Sequence, residues 1–398
     1  MDLTITPGKL QGKVGAIPSK SQAHRMLICA AFADAPTFLG CPETNRDIDA
    51  TAQCLIALGA QITRSPQGFA VTPIQDVPKS AILPCQDSGS TLRFLLPVAG
   101  ALGCDTTFLL NGRLPQRPLS PLWEEMERMG CHLSRPTEDT VRCQGRLQAG
   151  MYSIDGSVSS QFITGLLLAL ALVPGESRLT VLGPLESAPY VTMTQRVMAL
   201  FGKNTEGLAV SGGCFHSPGK QSVEGDWSNA AFFLAAKALG SGIQVENLNL
   251  DSAQGDRACF TLLPELIKEQ RTIFSADIPD LVPILSVVAA AAHGAVFTNI
   301  HRLRLKESDR VESVIQMLKD LGGKAEAVGD TLRVYGTGLT GGTVDSRNDH
   351  RIAMSAAIAS TVCSKSVTIL GAECTEKSYP SFFGEFKRLG GSYEQHLR

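Results

Sequence analysis

The sequence lacks any hydrophobic run long enough to cross a membrane. The longest apolar runs are Ile163–Val173 and Leu281–Ala292, and both are shorter than the ~20 residues that a membrane-spanning helix needs. The first residues also lack the basic segment and following apolar segment of a signal peptide. We therefore expect a cytoplasmic protein.

A large excess of charge of one sign is also absent. The formal net charge is -2, so nothing favours a nucleic acid or an anionic membrane as a partner. Hydrophobic residues make up 43% of the 398 residues, which is enough for two packed domains. Any positive charge that matters for function must be local.

Paired cysteines and the usual cofactor motifs are missing as well. No two of the eleven cysteines lie within ten residues of each other, so no CxxC pair or zinc-ligand spacing exists. The chain has no GxxxxGK[ST] loop, no strand–GxGxxG–helix pattern, no HExxH motif and no GxSxG motif. We expect no metal and no organic cofactor.

An internal repeat is the clearest organisational feature that is present. Helices rich in small apolar residues, each followed by a turn and an apolar strand, begin near residues 22, 90, 160, 229, 281 and 351. Four of the five spacings are 68 to 70 residues, and the spacing from the fourth copy to the fifth is shorter. One copy alone could belong to any α/β enzyme, but the regular spacing favours a true repeat.

A second, amphipathic helix follows each copy, as in EEMERMGCHL and VIQMLKDLGG, and most of these helices end at a glycine before a strand. The pattern predicts six βαβαββ-like units. The composition becomes more polar and glycine-rich near residues 218–226, which divides the units three and three. The sequence therefore predicts an α/β (α+β) fold with two lobes.

Basic and hydroxyl side chains stand at the starts of several apolar helices. A helix N-terminus attracts phosphate or carboxylate, and serine, glycine and arginine strengthen such a site. A single serine or aspartate there is more often an ordinary N-cap, but four equivalent cases favour a positively charged cleft between the lobes. The residues concerned are Lys20, Ser21, Arg25, Ser88, Gly89, Ser90, Arg93, Ser159, Ser160, Gln161, Arg347, Asp349, His350 and Arg351.

Four side chains are candidates for moving protons in that cleft: Asp280, Glu307, Asp309 and His350. Together with the predicted anion sites, they indicate a metabolic enzyme that joins two small anionic substrates. His350 is equally compatible with a purely structural role.

Seven motifs in a fixed order carry a family resemblance. They are SKSxxxR, SGSTxR, SSQF, IPD, KESDR, NDHR and a late lysine, and they extend from IPSKSQAHR to CTEKSYPSFF. On these motifs the chain resembles the enolpyruvyl transferase family, and within it the 5-enolpyruvylshikimate-3-phosphate synthases. The resemblance implies six βαβαββ units in two lobes with the active site between them. Lobe I would contain residues 1–18 and 226–398, and lobe II residues 19–225.

The resemblance implies transfer of the carboxyvinyl group of phosphoenolpyruvate to the 5-hydroxyl of shikimate 3-phosphate by a monomer. Catalytic roles would fall to Asp280, Glu307 and Lys20. Shikimate 3-phosphate would be bound by Lys20, Ser21, Arg25, Ser159, Ser160, Gln161, Ser187, Tyr190, Asp280 and Lys306. Phosphoenolpyruvate would be bound by Lys20, Gly89, Arg117, Gln161, Arg310, Arg351 and Lys377, with support from Ser90, Arg93 and His350.

Three positions depart from the family pattern: Asp87 replaces a common Asn, and Ala188 and Arg302 replace substrate-contacting Lys and Asn. These changes bear on substrate affinity more than on chemistry. Gly89 is retained, which predicts inhibition by glyphosate. Two alternatives stay open: the sister enzyme that uses UDP-N-acetylglucosamine, and a catalytically silent sensor that binds shikimate 3-phosphate or phosphate.

Overall fold

The computed structural model describes residues 1–396, and the chain divides into two compact units. Unit 1 contains Met1–Ile17 together with the chain from Gly225 onward, and unit 2 contains Pro18–Glu224. Each unit has its own hydrophobic core. The high apolar content of the sequence is therefore distributed between two separate interiors.

Twelve α-helices lie within residues 1–396. They are α1 (Lys20–Ala31), α2 (Arg46–Ala57), α3 (Gly89–Leu102), α4 (Leu122–Arg128), α5 (Ser160–Leu170), α6 (Ala188–Leu200), α7 (Trp227–Ala238), α8 (Cys259–Lys268), α9 (Val282–Ala291), α10 (Arg310–Asp320), α11 (His350–Ala359) and α12 (Phe382–Arg388).

The strands described for the same residues are short. They are β1 (Asp2–Thr6), β2 (Gln11–Gly15), β3 (Thr37–Gly40), β4 (Gln61–Ser65), β5 (Gly68–Thr72), β6 (Ser80–Gln86), β7 (Asp105–Leu110), β8 (Cys131–Ser134), β9 (Thr140–Gly145), β10 (Met151–Asp155), β11 (Glu176–Leu182), β12 (Ala209–Ser211), β13 (Lys220–Ser222), β14 (Gly242–Glu246), β15 (Arg271–Phe274), β16 (Ala295–Thr298), β17 (Lys324–Val328), β18 (Thr331–Tyr335), β19 (Gly342–Asp345), β20 (Val367–Leu370) and β21 (Ser392–His396).

The odd-numbered helices are the apolar helices of the repeat, and each begins within two residues of its predicted start. They are buried over most of their surface, as the predominance of small apolar residues predicts. Small residues also allow close packing. A Cβ atom on Gly165 of α5 would lie 2.2 Å from the carbonyl oxygen of Arg93 in α3, so only glycine fits this contact.

The even-numbered helices are the amphipathic ones, and several end at a glycine with positive φ, such as Gly130 and Gly322. Helix α2 begins at Arg46, well before the apolar segment LIALGAQI that marked it in the sequence. Asn45 explains the early start because its side-chain oxygen accepts a hydrogen bond from the Ile48 N–H at 3.1 Å.

Four of the six sheets described in residues 1–396 have the complete four-stranded pattern. In the second one along the chain, β6, α3, β7, α4, β8 and β9 follow each other, and the strand order is β6-β7-β9-β8. Strands β6 and β7 are parallel, and the other neighbours are antiparallel. The equivalent orders are β15-β16-β18-β17, β13-β3-β5-β4 and β19-β20-β1-β21.

Two of these complete sheets borrow a strand from a distant part of the chain. Strand β13 pairs with β3, where Lys220 is opposite Phe38, although β3 lies far earlier in the chain. Strand β1 lies between β20 and β21, where Leu3 is opposite Ile369 and Gln395. Each unit therefore contains three sheets of the described chain.

The remaining two sheets have fewer strands than the repeat predicts. One has the order β10-β11-β12, and the other consists of β14 and β2 alone within the described residues. After α8 the chain enters β15 of the next sheet directly. This missing strand pair accounts for the short spacing between the fourth and fifth copies in the sequence. The mixed α/β fold class is confirmed.

All eleven cysteines are free in the described structure, and ten of them are buried. This agrees with thiols that fill small gaps in the cores. None of the helices described is both long and apolar enough to span a membrane.

Candidate functional site

The N-terminus of α1 carries the first predicted cation of unit 2. Ser19 caps this helix, its hydroxyl oxygen accepting the Gln22 N–H at 3.4 Å. The Lys20 ammonium lies 2.9 Å from a carboxylate oxygen of Asp47, in the first turn of α2. Both partners are largely buried, so two helix N-termini and this ion pair meet at one place.

One turn later, Arg25 is almost completely enclosed, with 2% of its surface exposed. Burial lowers the pKa of its guanidinium to about 10. Its hydrogen bonds go to the hydroxyls of Thr164 and Thr194 and to two carbonyl oxygens, and the Phe94 ring lies 4.9 Å away. Within residues 1–396, no carboxylate pairs with this charge.

Five predicted residues lie together at the N-termini of α3 and α5. A Cβ atom on Gly89 would lie 2.8 Å from Arg117 Nη1 and 2.9 Å from Arg93 Nη1, so both guanidiniums rest against this glycine. Arg93 donates to Gln161 Oε1 at 2.8 Å, and Gln161 Nε2 donates to Ser90 Oγ at 2.9 Å. We call these five residues the Gly89 cluster.

The predicted hydroxyl residues of unit 2 stand at two further helix starts. Ser159 caps α5 by accepting the Gln161 N–H at 3.3 Å, and Ser160 is the first residue of that helix. Ser187 precedes α6 with φ of 57°, and its carbonyl oxygen accepts the Tyr190 N–H at 3.0 Å. A hydroxyl that caps a helix as an acceptor still has its own proton to donate to an anion.

A buried chain of hydrogen bonds connects α1, α2 and α3. His24 Nδ1 lies 2.7 Å from Thr51 Oγ1, which lies 2.7 Å from Thr91 Oγ1. Thr91 in turn donates to Ser88 Oγ, the cap of α3, at 2.8 Å. Burial lowers the pKa of His24 to about 3, so the ring is neutral at ordinary pH.

Unit 1 contains a buried arginine surrounded by carboxylates. Arg310, the first residue of α10, is 1% exposed. Its guanidinium donates to Asp280 at 2.6 Å, to Glu307 at 2.8 Å and to Asp349 at 2.9 Å. Burial disfavours the charged form, but these three carboxylates hold the pKa of Arg310 well above its usual value.

Asp280 lies between several cations. One oxygen lies 2.6 Å from Arg310 Nη1 and 3.9 Å from the Lys306 ammonium, and the other accepts from Arg351 Nη2 at 3.2 Å. Burial would raise its pKa, but Arg351, Lys306 and Arg310 together hold the pKa of Asp280 well below its usual value. Burial lowers the pKa of Lys306 to about 8.

Asp349 is a functional candidate to which the sequence alone assigns no separate role. Besides Arg310, it accepts a hydrogen bond from Ser308 Oγ at 3.0 Å, and it caps α11 through the Arg351 N–H at 3.0 Å. Its only signal in the sequence is its place immediately before an apolar helix. We call Asp280, Lys306, Glu307, Arg310, Asp349 and Arg351 the Arg310 cluster.

A second unpredicted carboxyl group lies beside this cluster. The Ser228 hydroxyl donates to buried Asp256 at 2.5 Å, and the Ser228 carbonyl oxygen accepts from Arg351 Nη1 at 3.2 Å. Burial and the nearby charge of Asp280 raise the pKa of Asp256 to about 7. Both effects favour the neutral form of this carboxyl group.

The other candidates of unit 1 have simpler positions. His350 is the buried first residue of α11, and Lys377 is a buried residue at the end of a short 3₁₀ segment. Asp309 caps α10 by accepting the Val311 N–H at 3.1 Å and also pairs with Arg304 at 2.9 Å. Its geometry is that of a helix cap and a surface ion pair.

The two clusters differ in charge. The Gly89 cluster contains two guanidiniums and no carboxylate among its members. The Arg310 cluster contains three cations and three carboxylates, so its charges balance. No group of three or more His, Cys, Asp or Glu side chains in the described residues is arranged to hold a metal ion.

Comparison with known proteins places the whole chain in one family. The model of the family described as EPSP synthase (3-phosphoshikimate 1-carboxyvinyltransferase) matches residues 5–386. The 3-phosphoshikimate 1-carboxyvinyltransferase of Clostridium beijerinckii is 36% identical, and the alignment covers 99% of this chain and 98% of that protein. The protein of the same name from Clostridium perfringens is 37% identical over 97% of this chain and 98% of its own length.

Solved structures agree with this result. A structure of EPSP synthase from Acinetobacter baumannii superposes with a TM-score of 0.80 at 25% identity, covering 99% of this chain and 100% of that one. The chain belongs to the EPSP synthase (3-phosphoshikimate 1-carboxyvinyltransferase) family.

Proposed function

We propose that the Gly89 cluster, Arg25 and the Arg310 cluster serve one reaction, each with a distinct part in it. As an enzyme of this family, the chain transfers the enolpyruvyl group of phosphoenolpyruvate to shikimate 3-phosphate in aromatic biosynthesis. Both substrates carry phosphate and carboxylate groups that repel each other. A dense set of buried cations is what such a pair of anions requires.

Shikimate 3-phosphate is assigned mainly to unit 2. Arg25 supports this because its buried charge has only neutral partners in the described chain and is available to an anion. The serine hydroxyls at the starts of α5 and α6 add donors. The proposed contacts are Lys20, Ser21, Arg25, Ser159, Ser160, Gln161, Ser187 and Tyr190, with Asp280 and Lys306 near the reacting hydroxyl.

Phosphoenolpyruvate is assigned to the remaining cations. Arg117 and Arg93 flank Gly89, where the backbone offers the free N–H groups of a helix N-terminus. Arg310 already donates to three carboxylates, so an anionic substrate that approaches it competes with them. The proposed contacts are Lys20, Gly89, Arg117, Gln161, Arg310, Arg351 and Lys377, supported by Ser90, Arg93 and His350.

The proposed chemistry needs a base and an acid. Asp280 accepts the proton of the 5-hydroxyl while that oxygen forms a bond to C2 of phosphoenolpyruvate, and Glu307 in its protonated form, assisted by Lys20, delivers its proton to the methylene carbon C3. The bond from C2 to the phosphate oxygen then breaks, and the leaving phosphate takes the proton held by Asp280. Return of one C3 proton to Glu307 restores the double bond. Each such proton transfer contributes roughly 10²–10⁴-fold to the rate.

One observation carries this assignment. Asp280 is held ionised by three cations, and Arg310 joins it to Glu307 through hydrogen bonds of 2.6 and 2.8 Å. Two carboxylates on one guanidinium respond together when that guanidinium binds an anionic substrate. This supports an acid and a base that act in the same event.

We also infer that the enzyme is a cytoplasmic monomer and that glyphosate competes with phosphoenolpyruvate. The scattered free cysteines support a reducing compartment, and the intact Gly89 supports the inhibition. Undiminished turnover in millimolar glyphosate would contradict the inhibition.

Phosphate release tests the proposal directly. We expect release from phosphoenolpyruvate with shikimate 3-phosphate as acceptor and none with UDP-N-acetylglucosamine. Glu307→Gln should lose at least 10²-fold in kcat while shikimate 3-phosphate binding persists. Binding of shikimate 3-phosphate without any release by the unaltered enzyme would instead indicate a sensor protein.

A further inference from the structure

Arg25 is held by two threonine hydroxyls where a carboxylate would ordinarily be expected. Its Nε donates to Thr194 Oγ1 at 2.8 Å, and its Nη2 donates to Thr164 Oγ1 at 3.1 Å. Both threonines are 0% exposed and lie on different helices, α6 and α5. The pair presents two oxygens to one edge of the guanidinium, as a carboxylate does, but carries no charge.

Proton accounting fixes the direction of these hydrogen bonds. The single hydroxyl proton of Thr194 goes to the Tyr190 carbonyl oxygen at 2.9 Å. The 2.8 Å contact between the two threonine oxygens must therefore use the proton of Thr164. Both hydroxyl protons are occupied, so each threonine can offer only lone pairs to Arg25.

The remaining donors of Arg25 are also held by neutral groups. Nη1 donates to the Ser21 carbonyl oxygen at 2.6 Å, and Nη2 makes a second bond to the Tyr190 carbonyl oxygen at 3.2 Å. Four of the five guanidinium N–H groups are thus used, which leaves one on Nη1. The guanidinium is fixed in orientation, but its charge is not compensated by any carboxylate in the described chain.

Arg310 of unit 1 differs from Arg25 in the charge of its partners. It is equally buried, yet three carboxylates neutralise it. A buried guanidinium without a counter-ion is costly, since burial disfavours the charged form. A protein that keeps Arg25 in this state retains its charge for an anionic ligand.

We propose that Thr164 and Thr194 are positioning residues that hold Arg25 in its binding geometry while leaving its charge free to attract shikimate 3-phosphate. This inference rests on the proposed function, in which Arg25 binds that substrate. Thr164 and Thr194 act through the arginine and make no contact with the reacting atoms in this proposal.

An isosteric substitution of Thr164 separates the hydrogen bonding of its hydroxyl from the packing of its side chain. Thr164→Val keeps the shape but removes the acceptor for Nη2, and Thr164→Ser restores it. We expect Thr164→Val to weaken shikimate 3-phosphate binding on the order of tenfold or more, measured by calorimetry without phosphoenolpyruvate. The KM for phosphoenolpyruvate and kcat should change by less than about threefold, and Thr164→Ser should recover most of the affinity.

Thr106→Val is the matched control. Thr106 is a buried threonine of unit 2 in β7, and its hydroxyl makes no hydrogen bond within the described residues. This variant should bind shikimate 3-phosphate as the unaltered enzyme does. Equal losses of affinity in Thr106→Val and Thr164→Val would indicate a general packing effect and would overturn the proposal.

A charged substitution tests the second half of the inference. Thr164→Asp places a carboxylate beside Arg25 and should abolish shikimate 3-phosphate binding more completely than Thr164→Val does, because the guanidinium is then neutralised. If Thr164→Val binds shikimate 3-phosphate with unchanged affinity and the unaltered enzyme turns over normally, the positioning role of the threonines is refuted. The proposed function would still stand. An unaltered enzyme with no turnover would refute the proposed function instead.

Discussion

Arg310 and Asp349 form an ion pair in which neither side chain has more than 1% of its surface exposed. The Arg310 Nε lies 2.9 Å from Asp349 Oδ2, and the other carboxylate oxygen caps α11. One aspartate thus stabilises a helix N-terminus and orients a guanidinium of a different helix. Removal of this side chain should affect both folding and substrate binding.

Asp349→Ala should lower the free energy of unfolding by roughly 3–5 kcal/mol, because it leaves part of a buried charge uncompensated. Asp349→Asn should cost less, since asparagine still caps a helix. Urea unfolding measures both. Asp309→Ala is the matched control, because it removes a helix-capping aspartate near the surface and should cost only about 1 kcal/mol. Equal costs at both positions would contradict the special role of the buried pair.

Gly89→Ala should impair phosphoenolpyruvate binding without weakening the fold. The added Cβ would lie within 2.9 Å of guanidinium nitrogens of Arg93 and Arg117 and would displace these flexible side chains. Alanine also favours a helix by up to about 1 kcal/mol over glycine. We expect the KM for phosphoenolpyruvate to rise on the order of tenfold, glyphosate inhibition to weaken and thermal stability to stay unchanged or increase slightly.

Gly384→Ala provides the comparison for this variant. A Cβ on Gly384 of α12 meets no atom within 4 Å, so the kinetic constants should stay unchanged. A normal KM in Gly89→Ala would contradict the expectation that phosphoenolpyruvate binds against Gly89 and the two arginines.

The alkaline side of the pH–activity profile should depend on Lys306. Burial lowers the pKa of this ammonium to about 8, so its positive charge is present below that pH and is lost as the pH rises through it. We expect kcat/KM to fall above pH about 8 in the unaltered enzyme. In Lys306→Arg the charge persists, and the fall should move to higher pH. Identical alkaline limbs in the two enzymes would assign the fall to another group.

The acid side of the stability profile should depend on His24. Its pKa is about 3 in the folded chain and about 6.5 in the unfolded chain, so the unfolded state binds an extra proton between these values. The contribution of His24 to the free energy of unfolding therefore decreases as the pH falls from about 6.5 toward 3, by up to ~1.4 kcal/mol per pH unit. The nearby charges of Asp47, Lys20 and Arg25 modify the shift but do not reverse it.

His24→Asn removes this titration while keeping a polar side chain near Thr51. The difference in unfolding free energy between the two proteins should shrink or reverse from pH 7 to pH 4.5. Parallel stability curves over this range would exclude His24 as a source of acid sensitivity.

The fold was largely predictable because its regular elements are encoded locally. Small apolar residues mark the buried helices, and the spacing of those helices reveals the repeat. The borrowed strands β1 and β13 were not predictable from the residues alone. In β1, Leu3 and Ile5 alternate with polar residues as in a strand, but β13 is entirely polar. In both cases the choice of partner depends on contacts with distant parts of the chain.

The grouping of candidate residues was predictable to the extent that these residues lie in motifs. Gly89, Ser90 and Arg93 are neighbours in the sequence, and the structure brings Arg117 and Gln161 to them. The threonine pair that holds Arg25 left no signal in the sequence, because a threonine inside an apolar helix is equally compatible with packing. Only the side-chain contacts reveal that both hydroxyl oxygens accept hydrogen bonds from Arg25.

The pairing of β1 has a consequence for synthesis on the ribosome. All strand partners of unit 2 have been translated once Glu224 is made, because this unit is one continuous segment of chain. Strands β1 and β2 are synthesised first. However, β2 can pair only after β14 has been translated, and β1 only after β20 and β21 have been translated. A nascent chain arrested after Glu224 therefore contains every strand partner of unit 2. Its strands β1 and β2, which belong to unit 1, have no partner yet.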